Sequence, residues 1–297
     1  MAADVMEKIA RYLYHVCRGI LHDSVLSPVF VFAVVFILLL EQWKPADSKQ
    51  KAFGVGFFHD GVWVLLALAF QGTFLVVYVN ALKAFYDARL SFLTVEAFDR
   101  LPESARFIIG ILLADFLAWF QHWVKHQVPW FWQMHAVHHS QRELNQFTDY
   151  RFHYLEYIIS RPIALIPLFI FANDAPRIAA YSLFAAWYPH VYHANIRSNF
   201  GWLRYIFVTP QSHRVHHSVE DRHRDRNYGV IFSVWDRLLR IQYADCREYP
   251  ETGIVDASFP LEKEKSLSSL FLVPLRQMLY PFAAMGRSLS YRKERRD

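Results

Sequence analysis

Eight histidines fall into three tight groups: His122 and His126; His135, His138 and His139; His213, His216 and His217. They spell H-x-x-x-H once and H-x-x-H-H twice. Residues three and four apart share one face of a helix, so each group aims its imidazoles at one place. Neutral imidazole donates a ring-nitrogen lone pair to Zn, Cu, Fe or Ni. Histidine supplies 15 of 297 residues, so chance would give ~0.04 copies of H-x-x-H-H, and two copies need a cause. Eight converging imidazoles are too many for one ion and suit two. Adjacent His138 and His139 diverge by about 100° on a helix, so they can serve different ions. His216 and His217 repeat that arrangement.

The surrounding polar residues extend the pattern. His193 closes an apolar stretch and reads either as a ninth ligand or as a polar helix cap; His190, a turn earlier, is a weaker candidate. Asp115 and Trp119 precede His122 by seven and three residues, on about the same face. An aspartate among apolar residues is expensive in a membrane and needs a partner. It reads either as the carboxylate that holds a ligand's second ring nitrogen or as a polar contact between helices. His153 stands beside Arg151 and Glu156 and is expected in a buried supporting network. Asp115, His153 and Glu156 are therefore the candidate catalytic residues. His15, His22, His59 and His223 lack such neighbours and read as surface or interfacial. Cys17 and Cys246 match no ligand spacing and read as reduced thiols.

The elements that must position these groups are read as membrane helices. Hydrophobic residues make up 54% of the chain and charged residues 20%, with the charges outside long apolar stretches. Candidate spans are Val25–Leu40, Phe57–Val79, Ala105–His126, Tyr157–Ala172 and Arg177–His193. Pro162 and Pro167 predict a kinked or partly inserted fourth span. Asn173-Asp174-Ala175-Pro176 joins the last two as a hairpin, whose open end should carry the histidines. Arginines gather at the same end, which places it in the cytoplasm by the positive-inside rule. Phe200–Val208, Tyr228–Ile241 and Ser266–Met285 are expected as interfacial helices. The net charge is +5, and the tail Tyr291–Asp297 reads YRKERRD; beside apolar spans it suits anionic lipid rather than nucleic acid. The N-terminus makes a poor signal peptide. The expected fold is all-α, an integral-membrane bundle of four or five spans with a cytosolic helical cap around a di-metal site. Its expected parts are N-terminal membrane helices (1–104), a catalytic domain (105–240) and an interfacial segment with the basic tail (241–297).

At this point the chain resembles the sterol desaturase and fatty acid hydroxylase superfamily. Asp115–His126 is similar to its D-x-x-x-Y-x-x-H-R-x-x-H element, with Trp119 for the usual Tyr and Trp123 for the usual Arg. HAVHHS (His135–Ser140) follows, then Asn145, Thr148, Arg151, His153 and Glu156 at the family's spacing, with Tyr154 where proline is common. His193-Ala194-Asn195-Ile196, Thr209-Pro210, HRVHHS (His213–Ser218), Asn227-Tyr228-Gly229 and Trp235-Asp236-Arg237 come in order. The usual F-G-T after these is replaced by Leu238-Leu239-Arg240.

The resemblance implies an integral-membrane enzyme of the bacterial inner membrane or endoplasmic reticulum, with two iron ions held by the nine histidines. Zinc can occupy such ligands in purified samples. It implies O2 activation and removal of hydrogen from an unactivated lipid C–H bond, ending in hydroxylation or desaturation, with a sterol-like lipid favoured over a fatty acyl chain. The chain has neither a G-x-G-x-x-G fingerprint nor a C-x-x-C-H haem motif, so electrons must come from cytochrome b5, a ferredoxin or a reductase. The competing readings are a zinc-dependent membrane hydrolase, which lacks its H-E-x-x-H, and a metal transporter, whose ligands would be spread across the membrane.

Overall fold

The computed structural model describes residues 27–171 and 175–294. His15, His22, Cys17, Asn173, Asp174 and the side chains of the basic tail lie outside the described residues. The described chain is helical, with three isolated bridges and no extended strand among the described residues.

Helix α1 (Pro28–Trp43) begins where Ser27 Oγ accepts the amide of Phe30 at 3.2 Å, with proline in its first turn. Helix α2 (Val55–Phe70) continues through a π-helical turn (Gln71–Leu75) into α3 (Val76–Arg89), making one rod of 35 residues, about 50 Å long. Helix α4 (Glu103–Gln127) has 25 residues. The rod and α4 are long and apolar enough to cross a bilayer; α1 is apolar but spans only 16 residues. Only 18% and 28% of the two apolar windows is buried within the protein. Phe32, Leu39, Leu65, Val77 and Ile108 are among the side chains left exposed. Apolar surface on that scale needs an apolar surrounding, and a bilayer supplies it. Helices α6 (Tyr154–Ile170) and α7 (Ala175–His193) occupy the fourth and fifth expected spans, α6 running through Pro162 and Pro167.

Two expected interfacial helices are not formed. Phe200–Val208 contains only a 3-10 turn (Gly201–Tyr205), and Tyr228–Ile241 only the five-residue α9 (Val234–Leu238). Phe200, Asn227 and Arg240 take positive φ of 53°, 60° and 59°, which ends helical propagation. Asp236 also takes the Tyr228 and Gly229 amides, at 2.9 and 2.8 Å. A Cβ on Gly229 would lie 3.0 Å from Asp236 Oδ2 and 2.9 Å from the Phe232 carbonyl, so glycine is needed for that close approach. The third segment is helical and runs further than expected, as α10 (Leu267–Glu294). Leu267, Phe271, Leu275 and Leu279 form its exposed stripe, while Val273, Gln277 and Tyr280 face the protein.

The segment that follows α5 (Pro129–His139) is locked by a buried ionic network. Arg151 donates from Nε to Asp60 Oδ1 at 2.9 Å and from Nη1 to Glu262 Oε1 at 2.5 Å. Asp60 Oδ2 accepts from Gln141, Asn145 and Thr148 at 2.7, 2.8 and 2.9 Å. Asp60 and Arg151 are fully buried. Charges removed from water are tolerable only when paired and hydrogen-bonded this fully. Gln277 Nε2 of α10 donates to Glu262 Oε1 at 2.8 Å, so the network ties both α2 and α10 to the loop that leaves the histidine-bearing helix. Trp63, Ala136, Val137, Phe259 and Tyr280 pack beside it as the core joining α2, α5 and α10.

Candidate metal centre

Each histidine group sits on a helix with a definite start. Val128 ends α4 after His122 and His126, and Pro129 opens α5, which carries His135, His138 and His139. Helix α8 (Pro210–His216) starts in a reciprocal cap: Thr209 Oγ1 accepts the Ser212 amide at 3.0 Å and Ser212 Oγ accepts the Thr209 amide at 2.9 Å. Every residue of α8 is buried, its polar groups being met by neighbours. Arg214 Nε donates to the Pro250 carbonyl at 2.9 Å, and Gln211 Nε2 to the Asp245 and Glu248 carbonyls at 3.1 and 3.0 Å.

The nine histidines gather into two groups. His122, His126, His135, His139 and His216 form one; His138, His193, His213 and His217 form the other. Within each group the ligand atoms lie within 4.8 Å of one another. Each H-x-x-H-H triplet is split two to one. The i,i+4 pair His135/His139 goes to the five-histidine group and His138 to the other; His213/His217 goes to the four-histidine group and His216 to the first. The groups abut where the His139 and His217 rings stack, centroids 4.2 Å apart.

Hydrogen bonds settle which ring nitrogen is free. Nδ1–H donates to a fixed oxygen in five of the nine: His122 to Tyr228 O at 2.9 Å, His135 to Glu156 Oε1 at 3.0 Å, His138 to Arg151 O at 3.2 Å, His193 to Pro189 O at 2.9 Å, and His216 to Arg226 O at 2.9 Å. That leaves Nε2 as a lone pair in each. Yet His193 Nε2 lies 3.2 Å from His138 Nε2. Two lone pairs face each other there, an arrangement that calls for a cation between them. His213 Nε2 is 2.8 Å from His193 Nε2 and 3.1 Å from His217 Nε2. Nitrogens bound at about 2.0–2.1 Å to one ion fall at such separations. In the five-histidine group, the Nε2 atoms of His126, His135, His139 and His216 are buried without a partner. The residues present therefore fit a metal pair.

Electrostatics keep the cage neutral and ready to ligate. Burial and the neighbouring imidazoles hold His138, His139, His213 and His217 well below the usual histidine range, and burial takes His216 down to about 3. Burial pushes the Glu156 carboxyl up, but Lys125 and His135 outweigh it and draw it down to about 2. Its Oε1 accepts from Lys125 Nζ at 2.8 Å as well as from His135.

Several expectations need correction. Of its two readings Asp115 takes the polar contact between helices: among the described residues it bonds no histidine, and its carboxylate accepts from Tyr181 Oη at 2.9 Å, Trp235 Nε1 at 2.7 Å, and the Ile231 and Phe232 amides at 3.2 and 3.3 Å. It clamps the 231–235 segment to α4, because at this depth the helix faces that segment and not the cage. Glu156 is the carboxylate that orients a cage histidine. His153 caps α6, accepting the Leu155 amide at 3.2 Å through Nδ1 and donating from Nε2 to Met278 O at 2.9 Å, so it points at α10. His190 donates to Gln146 O at 2.8 Å, outside both groups. His59 and His223 are buried rather than superficial: His59 bonds Glu264 O at 3.0 Å, and His223 bonds Ser218 Oγ at 2.8 Å and Glu248 at 3.1 Å.

Sequence reasoning missed Lys125, Asp60, Glu262 and the role of Asp236, which accepts Trp119 Nε1 at 2.8 Å and steadies the Tyr228 segment. Burial and the shared charge of Asp115 raise Asp236 against the Trp119 and amide donors, to a net value of about 6, burial being the largest cause. The partner argument applied to Asp115 would have flagged Asp60, another aspartate in an apolar helix. A cavity of about 420 Å3 reaches the cage at His126, His139 and His216, with Trp132 and Tyr280 among its walls.

Residues 107–240 match the fatty acid hydroxylase family model. The chain is 25% identical over 277 residues to an ornithine lipid hydroxylase of Rhizobium tropici, covering 92% of this chain and 80% of that protein. It is 27% identical over 143 residues to an alkylglycerol monooxygenase of Caenorhabditis elegans and 32% over 131 residues to the human one, covering 48% and 44% of this chain. The latter matches span only 28% and 29% of the relatives' own lengths. No solved structure matches significantly.

Proposed function

From the match of residues 107–240 to the fatty acid hydroxylase family model, we propose that the chain is a membrane-bound, di-iron lipid hydroxylase of the sterol desaturase and fatty acid hydroxylase superfamily. The observation that carries this reading is the pair of adjoining histidine groups, with Nε2 lone pairs turned inward at 2.8–3.2 Å in one of them. Relatives named as a lipid hydroxylase and as monooxygenases favour hydroxylation over desaturation, and lipids other than sterols. Two iron ions, one per group, would supply the redox chemistry by which O2, two electrons and two protons convert a lipid C–H bond into C–OH and water.

The protein's own contribution is positional. Glu156 and four backbone carbonyls hold the imidazole protons of five of the nine histidines outward, so that those five lone pairs face in. Lys125 pairs with Glu156 and adds stability there, while the Glu156 carboxylate itself keeps His135 from turning. Burial excludes bulk water, and the cavity at His126, His139 and His216 admits substrate. Electrons come from a separate cytochrome b5, ferredoxin or reductase. The cage and the C-terminal segment lie on the cytoplasmic face, where arginines concentrate. Groups of five and four histidines exceed the three protein ligands and a water of hydrolytic zinc, and ligands gathered at one place do not make a transport path.

The test is metal analysis on protein purified from membranes without chelator, joined to mass spectrometry of added lipids under 18O2 with a competent donor. The expected result is two metal ions per chain and lipid labelled with one 18O atom. Full turnover at one ion per chain, or product labelled only from water, would refute the reading.

A further inference from the structure

We propose that the cavity at the five-histidine group receives the polar end of a lipid carrying a cationic amine, with Asp225 as the carboxylate that anchors it. This deepens, and rests on, the lipid-hydroxylase reading. His126, His139 and His216 reach the cavity, and none of the four-histidine group does. Their Nε2 atoms are buried without partners, His139 being 3% exposed and His216 7%. What enters the cavity therefore meets the five-histidine group.

The lining decides which part of a lipid that is. Four carboxylates (Glu220, Asp221, Asp225 and Asp256) and one guanidinium (Arg224) share the cavity. A bare run of methylenes would desolvate those groups without replacing their hydrogen bonds, an unfavourable exchange. The headgroup belongs there, and the carbon presented to the histidines is one close to it.

Charge then selects the headgroup. Glu220 is bridged to Arg222 at 2.7 Å and Asp221 to Arg224, so those acids are balanced. Asp256 is engaged by Ser258 and Tyr280. Asp225, exposed at the cavity wall, has no counter-charge of its own among the described residues. Its Oδ1 accepts from two neutral donors, Tyr228 Oη at 2.7 Å and Gln127 Nε2 at 3.1 Å, and it forms no ion pair among the described residues. Its backbone is held at φ 58°. The Tyr228 ring stands 5.0 Å from the His126 ring and 5.6 Å from that of His216. One tyrosine side chain thus separates the unbalanced carboxylate from the cage. An ammonium on Asp225 would leave carbons a few bonds further along the lipid, past the Tyr228 ring, facing His126 and His216.

The experiment compares binding of two lipids to metal-loaded protein in neutral detergent: a long-chain N-acyl ornithine methyl ester, cationic at neutral pH, and the same ester with its amine acetylated. Tighter binding of the cationic lipid is expected, by about three- to tenfold, declining with added salt. Asp225→Asn, which keeps the side-chain size and tolerates the left-handed backbone, should abolish the preference. Equal binding of both lipids by the wild type overturns the proposal without recourse to any variant, and so does a preference that survives in Asp225→Asn. The lipids are also incubated under 18O2 with an electron donor, beside an uncharged 1-O-alkylglycerol. An Asp225-dependent preference with no oxygen gained by any lipid leaves the headgroup assignment standing and removes the hydroxylase reading. Oxygen gained by lipids that bind without regard to the amine does the reverse.

Discussion

Replacing Glu156 by glutamine is the sharpest test of how the cage is held. The side chain keeps its size, but the charge that faces Lys125 and the acceptor that fixes the His135 proton are both weakened. The cost follows from the carboxyl's displacement from 4.5 to about 2, which corresponds to about 3 kcal/mol of folding stability near neutral pH. Removing one member of a buried pair costs about 3–5 kcal/mol; Lys125 is 17% exposed and regains some hydration, so the lower end is expected. The folded pKa is depressed, so this stability is fully present above about 4.5 and is lost as pH falls towards 2. Metal retention should fall about 10- to 100-fold, the usual effect of removing a carboxylate that orients a ligand. The assay is competition for metal against a graded chelator series at matched amounts of folded protein, paired with thermal melting in detergent. Lys125→Met is the companion variant: it should lower stability while leaving the His135–Glu156 bond, and hence most of the metal, in place. Wild-type metal retention in Glu156→Gln would refute the claim that this carboxylate positions His135 for ligation.

Asp115→Asn should lower stability by about 1–3 kcal/mol, through its contacts with Tyr181, Trp235 and two amides, while metal content stays at the wild-type level; loss of metal at unchanged melting temperature would return Asp115 to the cage. The metal-free protein should be acid-labile. His138, His139, His213, His216 and His217 lie below the ordinary 6.5 when folded, so the unfolded chain binds more protons as pH falls. Their stabilisation is present above 6.5 and declines by about 1.4 kcal/mol per histidine per pH unit below it. Thermal melting between pH 7.5 and 5.5 should show a steep fall, and a flat profile would mean that the cage is not buried as described.

The histidine clusters show what short-range information carries. H-x-x-H-H on a helix turns its adjacent histidines in two directions by backbone geometry alone, so the parting of His138 from His139 and of His216 from His217 was legible before any packing was known, whereas the side taken by His135 and His213 was not. The all-helical class, the long apolar helices and the proline starts of α5 and α8 were legible for the same reason: each depends on neighbours within a turn or two. The partners that tune the cage were not. His135 meets Glu156 across 21 residues, His122 the Tyr228 carbonyl across 106, and Trp119 meets Asp236 across 117. No local period encodes which carboxylate lands beside which imidazole, and Asp115, which has the better sequence spacing, went to Trp235 while Glu156 went to the cage. His59 and His223 went inside for a similar reason, since burial is set by what packs over a residue and not by its flanks. Sequence spacing gave the three histidine clusters; tertiary packing decided how they and His193 divide into two groups, and which protons, carbonyls and charges hold them there, because a hydrogen bond needs its partner within about 3 Å in space and is indifferent to distance along the chain.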